Sequence, residues 1–321
     1  MTSRNHLKIS EDTTLLAYGE NPHQASDLYV ENTDKYGIAN AKVIQGNSLS
    51  YNNYLDADVG FRLVSEFDEE KSAVCAIIKH GTPCGVGLCI APQFAYDKAY
   101  QCDPQSAFGG IVVFNCEIGT QTAEMILNNY THMVVAPKFS KETIQVLKQK
   151  PNIKILETGG VLQKGEYAEY RSITGGTLMQ IRNTNTWEKC DLKYYGNADK
   201  NNYSINHFAK FAFNVCKYVK SNGIVISEFF HTLGICGGQT SRVRSVRYAL
   251  EDCKSRKNQT KFIMASDGFF PFPDAVEYAI DKGVELIIQP GGSKNDSKII
   301  DLVEKHPNVG MIVTGVRQFY H

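Results

Sequence analysis

Two tracts of the chain alternate short apolar runs with segments whose apolar positions recur every three or four residues. That is the pattern of strands layered against helices. In the first tract Leu55, Val59, Leu63 and Phe67 form one stripe and predict a helix over 55–68. The run AVCAII at 73–78 predicts a buried strand. Helices near 93–102 and 120–129 and strands at 111–114 and 133–136 follow. In the second tract Phe208, Phe211, Ala212, Val215, Cys216 and Val219 keep helical spacing. Strands are predicted at 223–227, 232–236, 261–265, 284–288 and 310–314. Between the tracts TGG, KGE, TGG and NADKNN interrupt the pattern, and only GTLMQI reads as a strand. The pattern predicts an α/β unit over 1–156, a connecting segment over 157–202 and a second, similar α/β unit over 203–321. An old duplication would explain the likeness.

Composition narrows the function classes. The 321 residues are 42% hydrophobic and 21% charged, proportions of an ordinary folded chain. Lysine plus arginine equals aspartate plus glutamate at 34 each, so no general attraction to nucleic acid or anionic membrane is built in. Recognition must be local. The N-terminal stretch lacks the apolar core of a signal peptide, and no apolar run reaches the length of a membrane span. Nine cysteines, an odd number scattered through strand-like and helix-like segments, predict reduced thiols and a cytoplasmic protein.

The strand at 73–78 ends on two adjacent nitrogen bases, Lys79 and His80. Gly81, Pro83 and Gly85 follow, a cluster expected to end the sheet. An imidazole titrates near neutrality and moves protons, and an ammonium stabilises a developing oxyanion. A snorkelling lysine beside a hydrogen-bonded histidine would give the same two letters. Cys84 and Cys89 have the wrong spacing for a deaminase-type zinc site. YGENPHQ (18–24) and QGNSLSYNNYLDAD (45–58) offer amides from Asn21, Gln24, Asn52 and Asn53 and the ring of His23 to a heterocycle, or simply mark turns. DPQSAFGG (103–110) lets a backbone approach a ligand closely, or turns tightly. In GICGGQTSRVRSVRYAL a glycine pair leads to a helix capped by Thr240 or Ser241 and carrying Arg242, Arg244 and Arg247. Such a helix start suits an anion. QPGGSKNDSKII repeats the arrangement with Ser293 or Asn295 as cap. SDGFFPFPDAVEYA sets Phe269, Phe270 and Phe272 near Asp267 and Asp274, either a slot for a planar ring or a staple on a helix start.

Taken in order, YGENPHQ, LSYNN, KHGTPCG, DPQSAFGG, KSNGIV, LGICGGQTSRV, ASDGFFPFPD, IIQPGGS and TGVRQFYH resemble one family across nearly the whole chain. It is AICAR (aminoimidazole-carboxamide ribonucleotide) transformylase, the formyl-transfer domain of bifunctional purine-biosynthesis enzymes. The resemblance implies two cytidine-deaminase-like α/β/α three-layer subdomains without the deaminase zinc. It also implies a homodimer with active sites at the subunit interface, and formyl transfer from the co-substrate 10-formyltetrahydrofolate to the 5-amino group of AICAR. With no room for the partner cyclohydrolase domain, it implies a stand-alone transformylase domain. By match, His80 is the proton shuttle and Lys79 stabilises the tetrahedral oxyanion. Tyr18, Asn53, Asn222, Arg242, Phe269 and Arg317 match nucleotide-site residues, and Gly109, Asp274 and Ser293 match positions near the substrate or folate pocket. Potassium near Asp267 and Ser221 is a further implication. Three positions depart from the family pattern: Ala17 where arginine is usual, His132 where an acidic residue is usual, and Ala275 where asparagine or glycine is usual. They leave two alternatives open, a formyltransferase for a related amine and a non-catalytic binder of a purine intermediate.

Overall fold

A computed structural model describes residues 13–30, 36–46, 49–67, 72–163, 165–253 and 262–321. The chain divides into two compact units, Met1–Leu162 and Gln163–His321. The first opens with a ribbon of β1 (Thr13–Leu15) and β2 (Asp27–Tyr29). Then follow β3 (Lys42–Gln45), α1 (Tyr51–Val64), β4 (Ala73–Lys79), β5 (Thr82–Cys89), α2 (Pro92–Cys102) and α3 (Pro104–Ala107). The unit closes with β6 (Ile111–Phe114), α4 (Thr120–Leu127), β7 (Met133–Ala136), α5 (Lys141–Leu147) and β8 (Lys154–Glu157). Its strands lie in the order β5-β4-β6-β7-β8-β3, with β6, β7 and β8 parallel and the other pairings antiparallel.

The apolar strands β6 and β7, and β4 up to Ile78, are buried on both faces, as runs without alternation require. Cys75, Ile77, Val112, Phe114, Val134 and Ile155 pack under α2, α4 and α5. On the opposite face α1 lies so close that a Cβ on Gly60 would fall 2.5 Å from Val113 Cγ2. Helices on both faces make the three layers anticipated from the sequence. The stripe expected on α1 is only partly right. Val59, Leu63 and Phe67 are buried, but Leu55 is exposed, because each four-residue step drifts about 40° around the helix and Asn53 and Ala57 take the inward face at its start. The predicted termini Asp68 and Lys261 lie outside the described residues.

The second unit starts with a hairpin of β9 (Ala168–Ile173) and β10 (Gly176–Ile181), the latter the GTLMQI strand. It continues through β11 (Lys193–Gly196), α6 (Tyr203–Cys216), β12 (Ile224–Glu228), β13 (His231–Cys236) and α7 (Arg242–Cys253). β14 (Phe262–Ser266), α8 (Asp274–Asp281), β15 (Val284–Gln289), α9 (Asp296–Glu304) and β16 (Gly310–Val313) complete it. The order β13-β12-β14-β15-β16-β11, with β14, β15 and β16 parallel, repeats the first unit strand for strand. Ile226, Leu233, Met264, Ile287 and Met311 form its core with α7, α8 and α9. Within the segment expected only to connect, β11 serves as an edge strand on β16.

One expectation fails outright. The cluster from Gly81 to Gly85 does not end the sheet, since β5 runs from Thr82 through Pro83, Gly85 and Gly87 to Cys89. Pro83 stands beside a bulge that makes Cys84 the extra residue, where the ladder needs no amide. The glycines are there because α2 presses on the strand. A Cβ on Gly85 would lie 1.9 Å from the Ala99 carbonyl oxygen, and one on Gly87 2.4 Å from that of Ala95.

Candidate functional site

The first unit gathers its candidate residues along the edge where β4 ends and β6, β7 and β8 begin. Lys79 pairs with Thr82 across a two-residue turn made by His80 and Gly81. Such a turn needs left-handed backbone at both positions, and φ is 55° at His80 and 71° at Gly81. Histidine at positive φ is uncommon and costs backbone energy, so something must hold it. Asp56 of α1 does. Its Oδ1 accepts the Gly81 N–H at 2.6 Å, and the His80 amide also bonds to the carboxylate. Burial pushes the Asp56 carboxyl above the usual carboxylate range, while the Gly81 and His80 amides and the His80 charge pull it back. The imidazole is left exposed at the turn. Lys79 points its Nζ at the Phe108 carbonyl, 2.8 Å away. That carbonyl is fixed by its neighbours: Gly109, at φ 74°, donates its N–H to the Tyr130 carbonyl at 2.7 Å, and the Phe108 and Tyr130 rings stack at 4.8 Å.

Tyr18 and Asn53 meet at the start of α1. Ser50 and Asn53 form a reciprocal capping box, with Asn53 Oδ1 accepting from Ser50 N at 3.1 Å. The Tyr18 carbonyl accepts the Tyr51 N–H at 3.0 Å, and Asn52 Nδ2 donates to the Glu20 carbonyl at 3.0 Å. Asn53 is thus spent largely on its own helix, while the half-exposed Tyr18 ring is available. Asp56 and Tyr130 were missed in the sequence. A carboxylate in LDAD reads as a solvated helix face, and nothing local marks its reach to a turn twenty-five residues on.

The second unit gathers another set around its 266–269 loop. Arg242 is buried; its Nη1 donates to Ser266 Oγ at 2.8 Å and pairs with Asp267 Oδ1. Burial pushes the Asp267 carboxyl up, against the opposing pull of the Arg242 guanidinium and of hydrogen bonds. Asp267 Oδ2 has no hydrogen-bond partner. The Asp267 carbonyl accepts the Gln318 N–H at 2.8 Å, which brings the C-terminal residues in, and the Arg317 guanidinium lies 4.4 Å over the Phe319 ring. Asn222, at φ 61°, donates Nδ2 to the Gln239 carbonyl at 2.7 Å, and Ser221 donates its N–H to the Tyr320 carbonyl at 2.7 Å. The three phenylalanines divide: Phe270 is buried, whereas Phe269 and Phe272 are exposed. Asp274 opens α8; Asn295 stands at the N-cap of α9 without a side-chain cap bond, and Ser293 Oγ accepts the Asn295 N–H at 3.1 Å in the loop before it. Asn295 Nδ2 ties that loop to the Pro271 carbonyl at 2.6 Å.

Two anion-site expectations change on this geometry. The arginines of α7 do not form one cluster, because Arg242 turns inward to Asp267 while Arg247 covers the Tyr278 ring at 5.4 Å. The loop before α9 already spends its Gly292 N–H on the α9 carboxylate of Asp296, at 2.6 Å. Among the described residues no group of three or more His, Cys, Asp or Glu side chains stands together to hold a metal ion. No helix among them is long and apolar enough to cross a membrane.

The family model for the AICARFT/IMPCHase bienzyme matches residues 2–252. The chain belongs to the AICARFT/IMPCHase bienzyme family. The bifunctional purine biosynthesis protein PurH of Mesorhizobium japonicum is 40% identical over 318 residues, 96% of this chain and 59% of that protein. PurH of Fusobacterium nucleatum is 40% identical over 306 residues, 95% of this chain and 59% of its own length. PurH of Sinorhizobium medicae is 39% identical over 315 residues, again 95% of this chain. The chain therefore spans about three-fifths of the length of these curated relatives. Membership in the AICARFT/IMPCHase family agrees with the resemblance carried by the sequence segments, and Lys79 and His80 lie inside the matched residues.

Proposed function

We propose that this chain transfers a formyl group from 10-formyltetrahydrofolate to the 5-amino group of AICAR, giving formyl-AICAR and tetrahydrofolate. The observation that carries the reading is the Lys79–His80 turn, with an exposed imidazole held at left-handed φ beside an ammonium aimed along the same edge. The acceptor nitrogen is conjugated to an aromatic ring and is a poor nucleophile. As its bond to the formyl carbon forms, His80 takes the amine proton and Lys79 donates a hydrogen bond to the oxygen that becomes anionic. The formyl carbon's bond to N10 then breaks, and N10 leaves carrying a proton delivered through His80. Proton transfer and oxyanion stabilisation would each contribute about 10²–10³-fold in rate.

In this reading Tyr18, Asn53, Asn222, Arg242, Phe269 and Arg317 serve the nucleotide, and Gly109, Asp274 and Ser293 border the substrate or folate pocket. The working form is a homodimer with sites at the subunit interface. Potassium would be held near Asp267 and Ser221. The buried Asp267 Oδ2, which lacks a partner, fits a monovalent cation, whose role would be to fix this loop rather than to enter the chemistry. The test is to incubate purified protein with 10-formyltetrahydrofolate and AICAR and follow tetrahydrofolate release. Stoichiometric release is expected. Release only with a different amine, or AICAR binding without release, would overturn the assignment.

A further inference from the structure

The Lys79 ammonium rests on a neutral acceptor, the Phe108 carbonyl, 2.8 Å away. A carboxylate in that place would hold the cation and also cancel its charge. A carbonyl fixes its direction and leaves the charge for a developing oxyanion. An ammonium has three donors, so two remain for a substrate. What the lysine needs from this carbonyl is a fixed orientation.

A turn sets that orientation. Residues 107–110 follow α3, with φ −58° and ψ 118° at Phe108 and φ 74° at Gly109. The Gly110 N–H closes the turn on the Ala107 carbonyl at 3.0 Å. These are the angles of a type II turn, whose third residue must be left-handed and is glycine here. The peptide between Phe108 and Gly109 is trans, so its carbonyl and its N–H point to opposite sides. The carbonyl meets Lys79 Nζ, and the N–H donates to the Tyr130 carbonyl at 2.7 Å. The Tyr130 ring covers the same two residues. It stacks on the Phe108 ring at 4.8 Å, and its edge would lie 3.4 Å from a Cβ on Gly109. Both rings are more than half exposed, so the pair is no part of the core. A type I turn differs by the rotation of this one peptide, and it would aim the carbonyl away from Lys79.

We propose that Tyr130 is a positioning residue for Lys79. Acting through the Phe108–Gly109 peptide, it holds the carbonyl that directs the ammonium. The proposal rests on the formyl-transfer reading for what the ammonium acts on, and its first test does not. The full chain is prepared with lysine labelled at the carbon next to the amine, and the Lys79 signal is assigned by its loss in Lys79→Arg. With no substrate present, Tyr130→Ala shifts that signal toward the position of free lysine, and Tyr130→Phe leaves it in place. Where Tyr130→Ala does not fold, Tyr130→Leu, which keeps bulk without a flat ring, takes its place. Gly109→Ala shifts the signal too, because alanine resists the left-handed φ although its Cβ meets only ordinary contacts, 3.4 and 3.5 Å from the Tyr130 ring. In the formyl-transfer assay Tyr130→Ala lowers kcat about tenfold or more with both KM values within about threefold, and Tyr130→Phe keeps kcat within about threefold of the parent. A Lys79 signal unmoved in the tyrosine variant or in Gly109→Ala overturns the proposal. So does a raised KM for the formyl donor at unchanged kcat, which would make the ring a direct contact of that substrate. Signals that move as expected in a chain whose parent releases no tetrahydrofolate would remove the function and leave Tyr130 its role.

Discussion

Asp56 is a charge kept at the expense of stability. Burial raises its carboxyl pKa despite the amides of Gly81 and His80, so the folded chain binds that proton more tightly than the unfolded chain does. The stabilising contribution of such a group is complete below the unfolded pKa and disappears as pH rises through the folded value. The ionised form is therefore the less favourable one in the fold, and the carboxyl is retained for the turn it holds. Asp56→Asn keeps an oxygen for the Gly81 N–H and removes the buried charge. Its thermal unfolding midpoint at pH 7 should be no lower than the parent's, while turnover falls about 10–100-fold through a displaced His80. A stability loss with unchanged turnover would make Asp56 merely structural. His80→Ala should separate the roles further, with nucleotide affinity within about threefold by calorimetry and turnover down about 10²–10⁴-fold. The bases themselves were legible as adjacent letters in the chain. The left-handed turn that presents them was not, because it depends on a carboxylate from another element.

The hairpin that holds Lys79 and His80 has a counterpart in the second unit. β4–β5 and β12–β13 each have a bulge, with Cys84 and Leu233 as the extra residues, and each turn begins with a left-handed non-glycine, His80 or Phe229. After each bulge comes a glycine under a helix: a Cβ on Gly85 would lie 1.9 Å from the Ala99 carbonyl oxygen, and one on Gly234 2.0 Å from that of Ala249. Alanine at either position must push a helix off its sheet and should destabilise by about 1–3 kcal/mol in chemical denaturation. Gly37→Ala is the control, since nothing lies within 4 Å of the added carbon, and its change should stay within about 0.5 kcal/mol. Equal stability in all three variants would contradict the packing. These glycines also explain what the hydrophobic pattern missed. Purely apolar strands such as IVVF and MVVA were readable end to end, whereas β5 hid its strand behind Gly and Pro that serve close helix contact. β8 and β11, which carry lysine and glutamate or glycine, lacked a run long enough to register.

Among the described residues one architecture appears in two copies, while the lysine–histidine turn appears in one. The turn positions of Lys79 and His80 are occupied in the second unit by Glu228 and Phe229, so the shared frame does not by itself fix the chemistry of the turn. The equal count of opposite charges agrees with this local specialisation, because recognition then falls to small clusters such as Arg242 with Asp267. The same two cores govern the sulfur chemistry. All nine cysteines stand as thiols rather than disulfides, and Cys75, Cys102, Cys216 and Cys253 are buried. Burial holds the Cys75 and Cys216 thiols well above their ordinary range, and it pushes the half-buried Cys84 up to about 12. Since the thiolate is the reacting species, exposure alone should overstate the reactivity of Cys84. A disulfide exchange reagent at pH 8 should find nine thiols in denaturant without reductant. In the folded protein it should find three fast ones, at Cys89, Cys116 and Cys236, with Cys84 and Cys190 slower, since burial and then the Glu188 charge push the Cys190 thiol up as well. Fewer than nine thiols in denaturant would mean that a disulfide forms, and a fast Cys84 in the folded chain would mean that the bulge it occupies opens to solvent.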